Sequence, residues 1–445
     1  MLGSPYRFAV INFACFAIGL LIAGFNASIF IAIFMCIFII MYNRKKIGLE
    51  NSMALAISYL MIFDAETYSY TPLKLRIWYI LLIPLLILKL KQHNFFIKQP
   101  KNLNSLIFIF FGVSITMRLI TDPIDGKLSI IKYLIFSLGA IFVLKESFRS
   151  IAKITGLKQL TEYFVSLAIF VGTWGIFQFF ANILGMGSSF QADYYNVRPS
   201  AFFSETTWYA EYLVFGLVFA YYNFQTSNKN SYLLLMPIFL IGIILSVTRN
   251  AFLAIAMWIF TTFVLSLLRT KIKPIHPLML ISILIGMGII IYYSSNFDFI
   301  VNLLKNKLSL TDSSAQGRLD AIQVSISRIL KNPIFGHGFG FNQITDTIAE
   351  SGTSIGAKHA NLFLMIAYIF GIPGLILLLY IITNFIVRQS YKWINSANHE
   401  SKYAVILLII YLSISMFAPL HQYPCGMYII AATLLLSTPK LTSKI

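Results

Sequence analysis

The sequence Lys358-His359-Ala360-Asn361 marks the point where the longest polar stretch of the chain, Ser294 to Lys358, meets a new apolar segment. Elsewhere the chain consists mainly of apolar runs, many near the roughly 20 residues that cross a bilayer, joined by short loops. The stretch from Ser294 to Lys358 is therefore the part of the chain with room for a structure outside a membrane. We interpret it as the cap of a membrane-embedded site, with His359 at its rim.

The composition is that of a membrane protein. Hydrophobic residues make up 58% of the 445 residues and charged residues 11%, which leaves too few polar side chains to cover a soluble surface of this size. The sequence predicts an all-α fold, a polytopic transmembrane helical bundle of about fourteen spans. We expect one integral membrane domain over residues 1–445, with a large periplasmic helical loop at 294–358. The predicted spans are 8–22, 26–42, 53–63, 74–90, 103–119, 129–144, 160–184, 208–224, 231–247, 250–268, 277–293, 360–386, 403–419 and 425–437.

The net charge of +18 comes from short basic clusters between the apolar runs. Such clusters are typical of cytoplasmic membrane loops, whereas a nucleic-acid surface would gather them on one folded face, so nucleic acid is excluded as a partner. With the N-terminus in the cytoplasm, alternate loops collect the clusters at 44–46, 89–101, 145–158, 269–273 and 388–402. Both termini are therefore predicted to face the cytoplasm.

The residues that commonly bind metals are sparse. Cys15, Cys36 and Cys425 lie within or at the edge of predicted spans and supply neither a disulfide framework nor a metal quartet. The pair Asp64 and Glu66 could hold a divalent cation against a phosphate, or simply solvate its loop. We predict no metal and no other cofactor.

Several basic residues fall on the outer side, against the positive-inside rule. They are Arg198, Arg249, Arg318, Arg328, Lys331 and Lys358. Arg198 precedes a proline, which holds it in an extended segment; it either snorkels to the interface beside Glu205 or binds a ligand. Arg249 opens an apolar run after a tight hairpin and either snorkels or points into a polar cavity.

The long outer loop contains two predicted helices, Asn296 to Leu310 and Gln316 to Leu330. The second is amphipathic and could lie on the bilayer over a lateral opening. Lys331-Asn332-Pro333 is predicted to end it. The glycine-rich stretch Gly336 to Gly340 lacks the spacing of a dinucleotide fingerprint and predicts a tight turn with a close backbone approach.

In the order of these elements the chain resembles the O-antigen polymerase and O-antigen ligase superfamily of bacterial inner-membrane glycosyltransferases. The resemblance rests on an Arg-x-Ser-x-x-Phe-Ser-Glu loop at Arg198 to Glu205 and a Thr-Arg-Asn-Ala hairpin at Thr248 to Ala251. It continues with Arg318 in a helix, the Asn-Pro-Ile-Phe-Gly-His-Gly-Phe-Gly stretch from Asn332 to Gly340, and the His-x-Asn at His359.

The resemblance implies that Arg198 and Arg318 bind the diphosphate of an undecaprenyl-linked glycan and that His359 activates the acceptor hydroxyl. These three residues are the expected catalytic set. Other members of the same motifs are the expected substrate-binding residues, namely Arg249, Glu205, His337 and Asn361.

The implied reaction is an inverting, metal-free glycosyl transfer at the periplasmic face of the bacterial inner membrane, with undecaprenyl-diphosphate-linked oligosaccharide and membrane lipid as partners. A chain-length regulator is a further expected partner. We favour O-antigen polymerase because of the number of spans and the Phe-Ser-Glu after Arg198. Three alternatives stay open: an O-antigen ligase that transfers glycan to lipid A-core, a flippase or transporter for the same lipid-linked glycan, and a metal-dependent glycosyltransferase built on Asp64 and Glu66.

Overall fold

The structure, a computed structural model, describes most of the chain as helix. The described residues are 9–14, 28–63, 78–92, 103–121, 127, 130–131, 133–184, 198–203, 205–227, 229–268, 313–338, 361–416 and 424–437. Within these ranges there is no strand, which confirms the all-α prediction. The predicted span 277–293 and the predicted helix Asn296 to Leu310 lie outside the described residues.

The described residues include thirteen α-helices. They are α1 (Ser28–Ile47), α2 (Leu49–Leu60), α3 (Tyr79–Gln92), α4 (Leu103–Thr121), α5 (Gly139–Thr155), α6 (Leu157–Ile183), α7 (Thr206–Ser227), α8 (Met236–Ser246), α9 (Arg249–Leu267), α10 (Ser313–Lys331), α11 (Leu362–Ser396), α12 (His399–Ser415) and α13 (Pro424–Leu436). A π-helix (Tyr133–Leu138) runs into α5, and a 3-10 helix (Asn230–Leu235) runs into α8.

Three of the described helices, α6, α9 and α11, are long and apolar enough to cross a membrane. Shorter apolar helical stretches lie at Phe110–Ile120, Asn230–Ser246 and Gly426–Leu436. The predicted third span, 53–63, corresponds to the 12-residue helix α2, which is short for a bilayer. The count of about fourteen spans and the orientation of both termini stay predictions.

Helices α6, α7 and α8 form the centre of the bundle. Tyr209 of α7 lies between two glycines, Gly175 of α6 and Gly242 of α8, where any side chain would meet its ring. The Tyr209 hydroxyl donates a hydrogen bond of 3.3 Å to the carbonyl of Gly172. Small residues let helix backbones approach closely, and this packing fixes the N-terminal part of α7 against its two neighbours.

Three of the basic loops that the sequence assigns to the cytoplasm meet at one end of the bundle. Lys89 Nζ lies 2.8 Å from the Glu50 carboxylate, and Lys46 Nζ donates to the side-chain oxygen of Gln159 over 3.2 Å. These contacts join the ends of α1 and α3 to the starts of α2 and α6. The assignment of these loops to the cytoplasm stays a prediction.

The longest helix, α11, is broken in its first third. Gly371 has a non-helical backbone with φ 74° and ψ −178°, and Pro373 has no N–H to donate to the carbonyl of Ile369. Such a break removes the helical partners of nearby carbonyls, and lipid supplies no replacement. The carbonyls at this point therefore need partners from elsewhere in the protein.

The turn that follows α10 supplies those partners. Backbone N–H groups of His337 and Gly338 donate to the carbonyls of the two α11 residues at 368 and 369, over 2.6 and 3.2 Å. In return, the N–H of Ile372 donates to the carbonyl of Pro333 over 2.7 Å. Residues 333–338, which we call the docking turn, thereby attach the end of α10 to the break in α11.

Helix α10 and the docking turn confirm two sequence predictions. The amphipathic helix predicted at Gln316 to Leu330 is observed as Ser313–Lys331, and it ends where Lys331-Asn332-Pro333 was expected to end it. Gly336 has φ 65°, and a side chain there would lie 2.5 Å from the carbonyl oxygen of Ile369. The described part of the glycine-rich stretch, residues 336–338, is thus a tight turn with a close backbone approach.

Helix α4 also attaches to the docking turn. One terminal nitrogen of Arg118, Nη2, donates to the carbonyls of Phe335 and Gly336, both over 2.7 Å. Arg118 lies in the last turn of α4, so a charged side chain extends from this helix to hold a backbone turn. Helices α4, α10 and α11 are therefore linked at one place.

We expect Gly336→Ala to destabilise the protein more than Gly48→Ala does. Both positions have positive φ, so both variants carry backbone strain of roughly 1–3 kcal/mol, but only at Gly336 would the new methyl group clash with α11. Overpacking of that kind costs typically about 1–3 kcal/mol more. Thermal unfolding in detergent measures the difference. Equal losses in the two variants would contradict the close docking described above.

Candidate active site

The structure describes five of the seven predicted site residues with their side chains. They are Arg198, Glu205, Arg249, His337 and Asn361. Arg318 lies within α10, but only its backbone position is described. His359 lies outside the described residues, as do Asp64 and Glu66 of the metal-dependent alternative.

Arg198 is bonded to the hairpin between α8 and α9. Its Nε donates to the carbonyl of Ser246 over 2.6 Å, and one terminal nitrogen donates to Thr248 Oγ1 over 3.4 Å. Ser246 is the last residue of α8, and Thr248 directly precedes Arg249, the first residue of α9. Two cations that stand about fifty residues apart in the sequence are thus brought to one corner of the bundle, which we call the arginine corner.

The hairpin geometry explains how the corner is formed. Val247 adopts the left-handed conformation, with φ 49°, and this reverses the chain within two residues so that α9 can begin at Arg249. The carbonyl of Ser246 is left at the end of α8 without a helical N–H. Arg198 donates a hydrogen bond to that carbonyl, and this bond also fixes the position of its guanidinium.

The arginine corner contains groups of the kind that bind anions. Two guanidinium groups contribute formal charge, and the N-terminus of α9 adds the positive end of its helix dipole. Guanidinium groups present paired donors to phosphate or carboxylate oxygens and keep their charge at any working pH. The corner can therefore attract and orient a phosphorylated ligand.

A carboxylate that the sequence analysis did not select lies beside this corner. Glu211 of α7 is fully buried, at 0% exposure, and its Oε1 accepts a hydrogen bond of 3.4 Å from Asn250 Nδ2 in the first turn of α9. A charged residue within an apolar span is costly and usually functional, and that signal was present in the sequence at Glu211.

His337 belongs to the junction of α10 and α11. Its Nε2 lies 2.7 Å from the carbonyl oxygen of Arg328, and because a carbonyl only accepts, Nε2 carries the proton. Nδ1 then serves as acceptor for Asn332 Nδ2 at 3.4 Å, and the ring stacks on Tyr368 with centroids 4.9 Å apart. These contacts give His337 a structural role; its predicted substrate contact stays a prediction.

Asn361 and Glu205 each stand at the start of a helix. The Asn361 side-chain oxygen accepts from the N–H groups of Phe363 and Leu364 over 2.7 and 3.4 Å and so caps α11. The backbone carbonyl of Glu205 accepts from Trp208 over 3.2 Å at the start of α7. The cap fixes the first turn of α11, and His359 precedes Asn361 by two residues in the sequence.

Comparison with known families gives one match, over residues 234–379, about a third of the chain, to the family described as O-antigen ligase. A comparison with curated proteins gave no match. The matched segment contains α8, α9, α10 and the start of α11, and with them Arg249, Arg318, His337, His359 and Asn361; Arg198 precedes it. Through this segment the chain is similar to the O-antigen ligase family, which supports the resemblance to the O-antigen polymerase and ligase superfamily.

Proposed function

We propose that the protein is an O-antigen polymerase, an inverting glycosyltransferase that joins undecaprenyl-diphosphate-linked oligosaccharide repeat units at the periplasmic face of the bacterial inner membrane. The observation that supports it best is the arginine corner, where Arg198 bonds to the hairpin that leads into Arg249. A diphosphate-linked donor is the kind of ligand that such a corner attracts. The hairpin also lies inside the family-matched segment.

In the proposed reaction, a hydroxyl oxygen of the acceptor glycan attacks the anomeric carbon of the donor. The bond from that carbon to the diphosphate oxygen breaks, and the lipid diphosphate leaves with the electron pair. Negative charge grows on the diphosphate as this bond lengthens, so fixed cations stabilise the transition state more than the bound donor. We assign this role to Arg198 and Arg318, with Arg249 as a further contact.

We propose that His359 accepts the proton of the attacking hydroxyl. Histidine, with an unperturbed pKa of about 6.5, can accept a proton near neutral pH. The docking turn supports this assignment indirectly, because it fastens α10, which carries Arg318, to α11, whose first turn follows His359.

The ligase is a second candidate, because the matched family carries that description. Both reactions use the same type of donor, and they differ in the acceptor: a further repeat unit for the polymerase, lipid A-core for the ligase. The arginine corner serves either reaction equally well. Our preference for the polymerase rests on the number of predicted spans and on the Phe-Ser-Glu motif that ends at Glu205.

A deletion strain distinguishes the two candidates. If the protein is the polymerase, single repeat units remain attached to lipid A-core while the ladder of longer chains disappears, because attachment needs only the ligase. Electrophoresis of the lipopolysaccharide shows this pattern. Loss of all attached glycan, with polymer accumulating on the lipid carrier, would identify the ligase and overturn the polymerase proposal.

We expect Arg198→Ala to lower turnover by about 100-fold or more, the usual effect of removing a fixed group that stabilises transition-state charge. Arg198→Lys should recover little of it, since one ammonium cannot both bond the Ser246 carbonyl and present paired donors to phosphate. The turnover of both variants is measured from the initial rates of the purified proteins with defined lipid-linked repeats. Arg44→Ala, an exposed arginine in the last turn of α1, is the control and should retain normal turnover.

We expect His359→Ala to abolish product formation by the purified protein while binding of the lipid-linked donor persists. The reason is that the variant lacks the proton acceptor and keeps the cations. Product is measured by chromatography, and donor binding by retention of labelled lipid. Normal polymerisation by this variant would show that His359 is not the base, and transbilayer movement of the glycan without any polymerisation by the unmodified protein would favour the transporter.

A further inference from the structure

Gln178 connects the interior of α6 to the loop that carries Arg198. It lies near the end of α6 and is fully buried, at 0% exposure. Its side-chain oxygen Oε1 accepts two backbone hydrogen bonds, from the N–H of Ser200 over 2.9 Å and from the N–H of Ala201 over 2.8 Å. Because both partners are donors, the orientation of the amide is settled by the contacts themselves.

The loop needs this acceptor because its backbone is buried and irregular. Ser200 and Ala201 are only 7% and 3% exposed, and Ala201 has φ 48°, a left-handed conformation that a residue with a side chain seldom adopts. Neither N–H can be satisfied by a helical ladder here. A buried N–H without a partner is strongly unfavourable, so the loop keeps this shape through the Gln178 oxygen.

Ring contacts hold the same loop against the same helix, α6. Phe202 is 1% exposed and stacks on two aromatic residues of α6, with its centroid 5.4 Å from that of Trp174 and 5.2 Å from that of Phe170. The planes are nearly parallel, at 16° and 23°. The loop is thus attached to α6 by the hydrogen bonds to Gln178 and by the ring contacts of Phe202.

The opposite end of this short loop is Arg198, which bonds to the hairpin between α8 and α9. From Gln178 to the guanidinium the connection runs through Ser200 and Pro199, and Pro199 restricts the backbone between them. The loop therefore spans from α6 to the α8–α9 hairpin and is attached at both ends. A shift at its α6 end is transmitted to the position of Arg198.

We infer that Gln178 is a positioning residue: through the N–H groups of Ser200 and Ala201 it sets where the Arg198 guanidinium stands against the diphosphate of the donor. The inference rests on the proposed function of Arg198. Gln178 itself does not touch the substrate. Its effect comes from geometry, and a displacement of about 1 Å at a catalytic group can cost on the order of 100-fold in rate.

The test compares two substitutions at this position in the purified full-length protein. Gln178→Met has similar size but no oxygen acceptor, and we expect its kcat to fall by roughly 10- to 100-fold with KM changed much less. Gln178→Glu keeps an oxygen acceptor in either protonation state, and we expect most of the turnover to be recovered. Equal loss in both variants, or no loss in Gln178→Met, would overturn the inference.

A matched control separates positioning from general stability. Thr161, in the same helix, is also buried and donates a hydrogen bond of 2.6 Å to Asn223, near the opposite end of α6. Thr161→Val should cost stability in the same way as Gln178→Met and leave kcat unchanged at temperatures where both proteins are folded. A comparable fall in kcat for Thr161→Val would show that lost packing, not the place of Arg198, slows the reaction.

A double variant provides the decisive measurement. If Gln178 acts through Arg198, adding Gln178→Met to Arg198→Ala should slow turnover by less than about threefold, because coupled sites are not additive. If the loss of turnover in the double variant equals the product of the two single losses, the inference is overturned while the role of Arg198 stays intact. Full turnover by Arg198→Ala alone would instead overturn the proposed function, and with it the inference.

Hydrogen exchange reports on the same contacts without any reaction. The amides of Ser200 and Ala201 should exchange faster in Gln178→Met than in the unmodified protein, and they should stay protected in Gln178→Glu. Thr161→Val should leave both amides protected. Unchanged protection in Gln178→Met would show that the oxygen does not hold the loop and would overturn the inference independently of activity.

Discussion

A bundle surrounded by lipid has to satisfy its buried N–H and C=O groups from within, because lipid offers no hydrogen bonds. A regular helix does so automatically, so each departure from helix needs a specific partner. At the α11 break the docking turn supplies it through the N–H groups of His337 and Gly338. At the loop before α7 the partner is Gln178. The irregular parts of the fold are therefore the parts that other segments hold in place.

The same constraint places the candidate active site. The α8–α9 hairpin leaves the carbonyl of Ser246 without a helical N–H, and Arg198 and the Thr248 hydroxyl donate to it. A guanidinium that donates to a backbone carbonyl is held in position before any ligand binds. Such preorganised charge needs little reorganisation when negative charge develops on a substrate. The hairpin and the arginine corner thus share the hydrogen bonds that Arg198 donates to Ser246 and Thr248, and Glu211 lies beside Asn250 in the first turn of α9.

Much of the fold was accessible from local pattern. The helix at Ser313–Lys331, its end at Asn332-Pro333 and the glycine turn follow from residue types within a few positions of one another. The cations Arg198 and Arg249 could be selected because they break a charge rule. Glu211 carried a similar signal and was not selected. Gln178 carried none, since an amide in a span is ordinary until its partners, more than twenty residues away, are known.

By itself, then, the sequence determined a helical membrane-type chain, the amphipathic helix with its stop, and the similarity of residues 234–379 to the O-antigen ligase family, because periodicity, proline and glycine chemistry and motif order are local. Only the tertiary structure decided that Arg198 meets the hairpin before Arg249, that His337 closes the α10–α11 junction, and that Gln178 holds the loop between. These are contacts between distant segments. These contacts depend on hydrogen-bond geometry in the folded protein, which cannot be read from the spacing of residues along the chain.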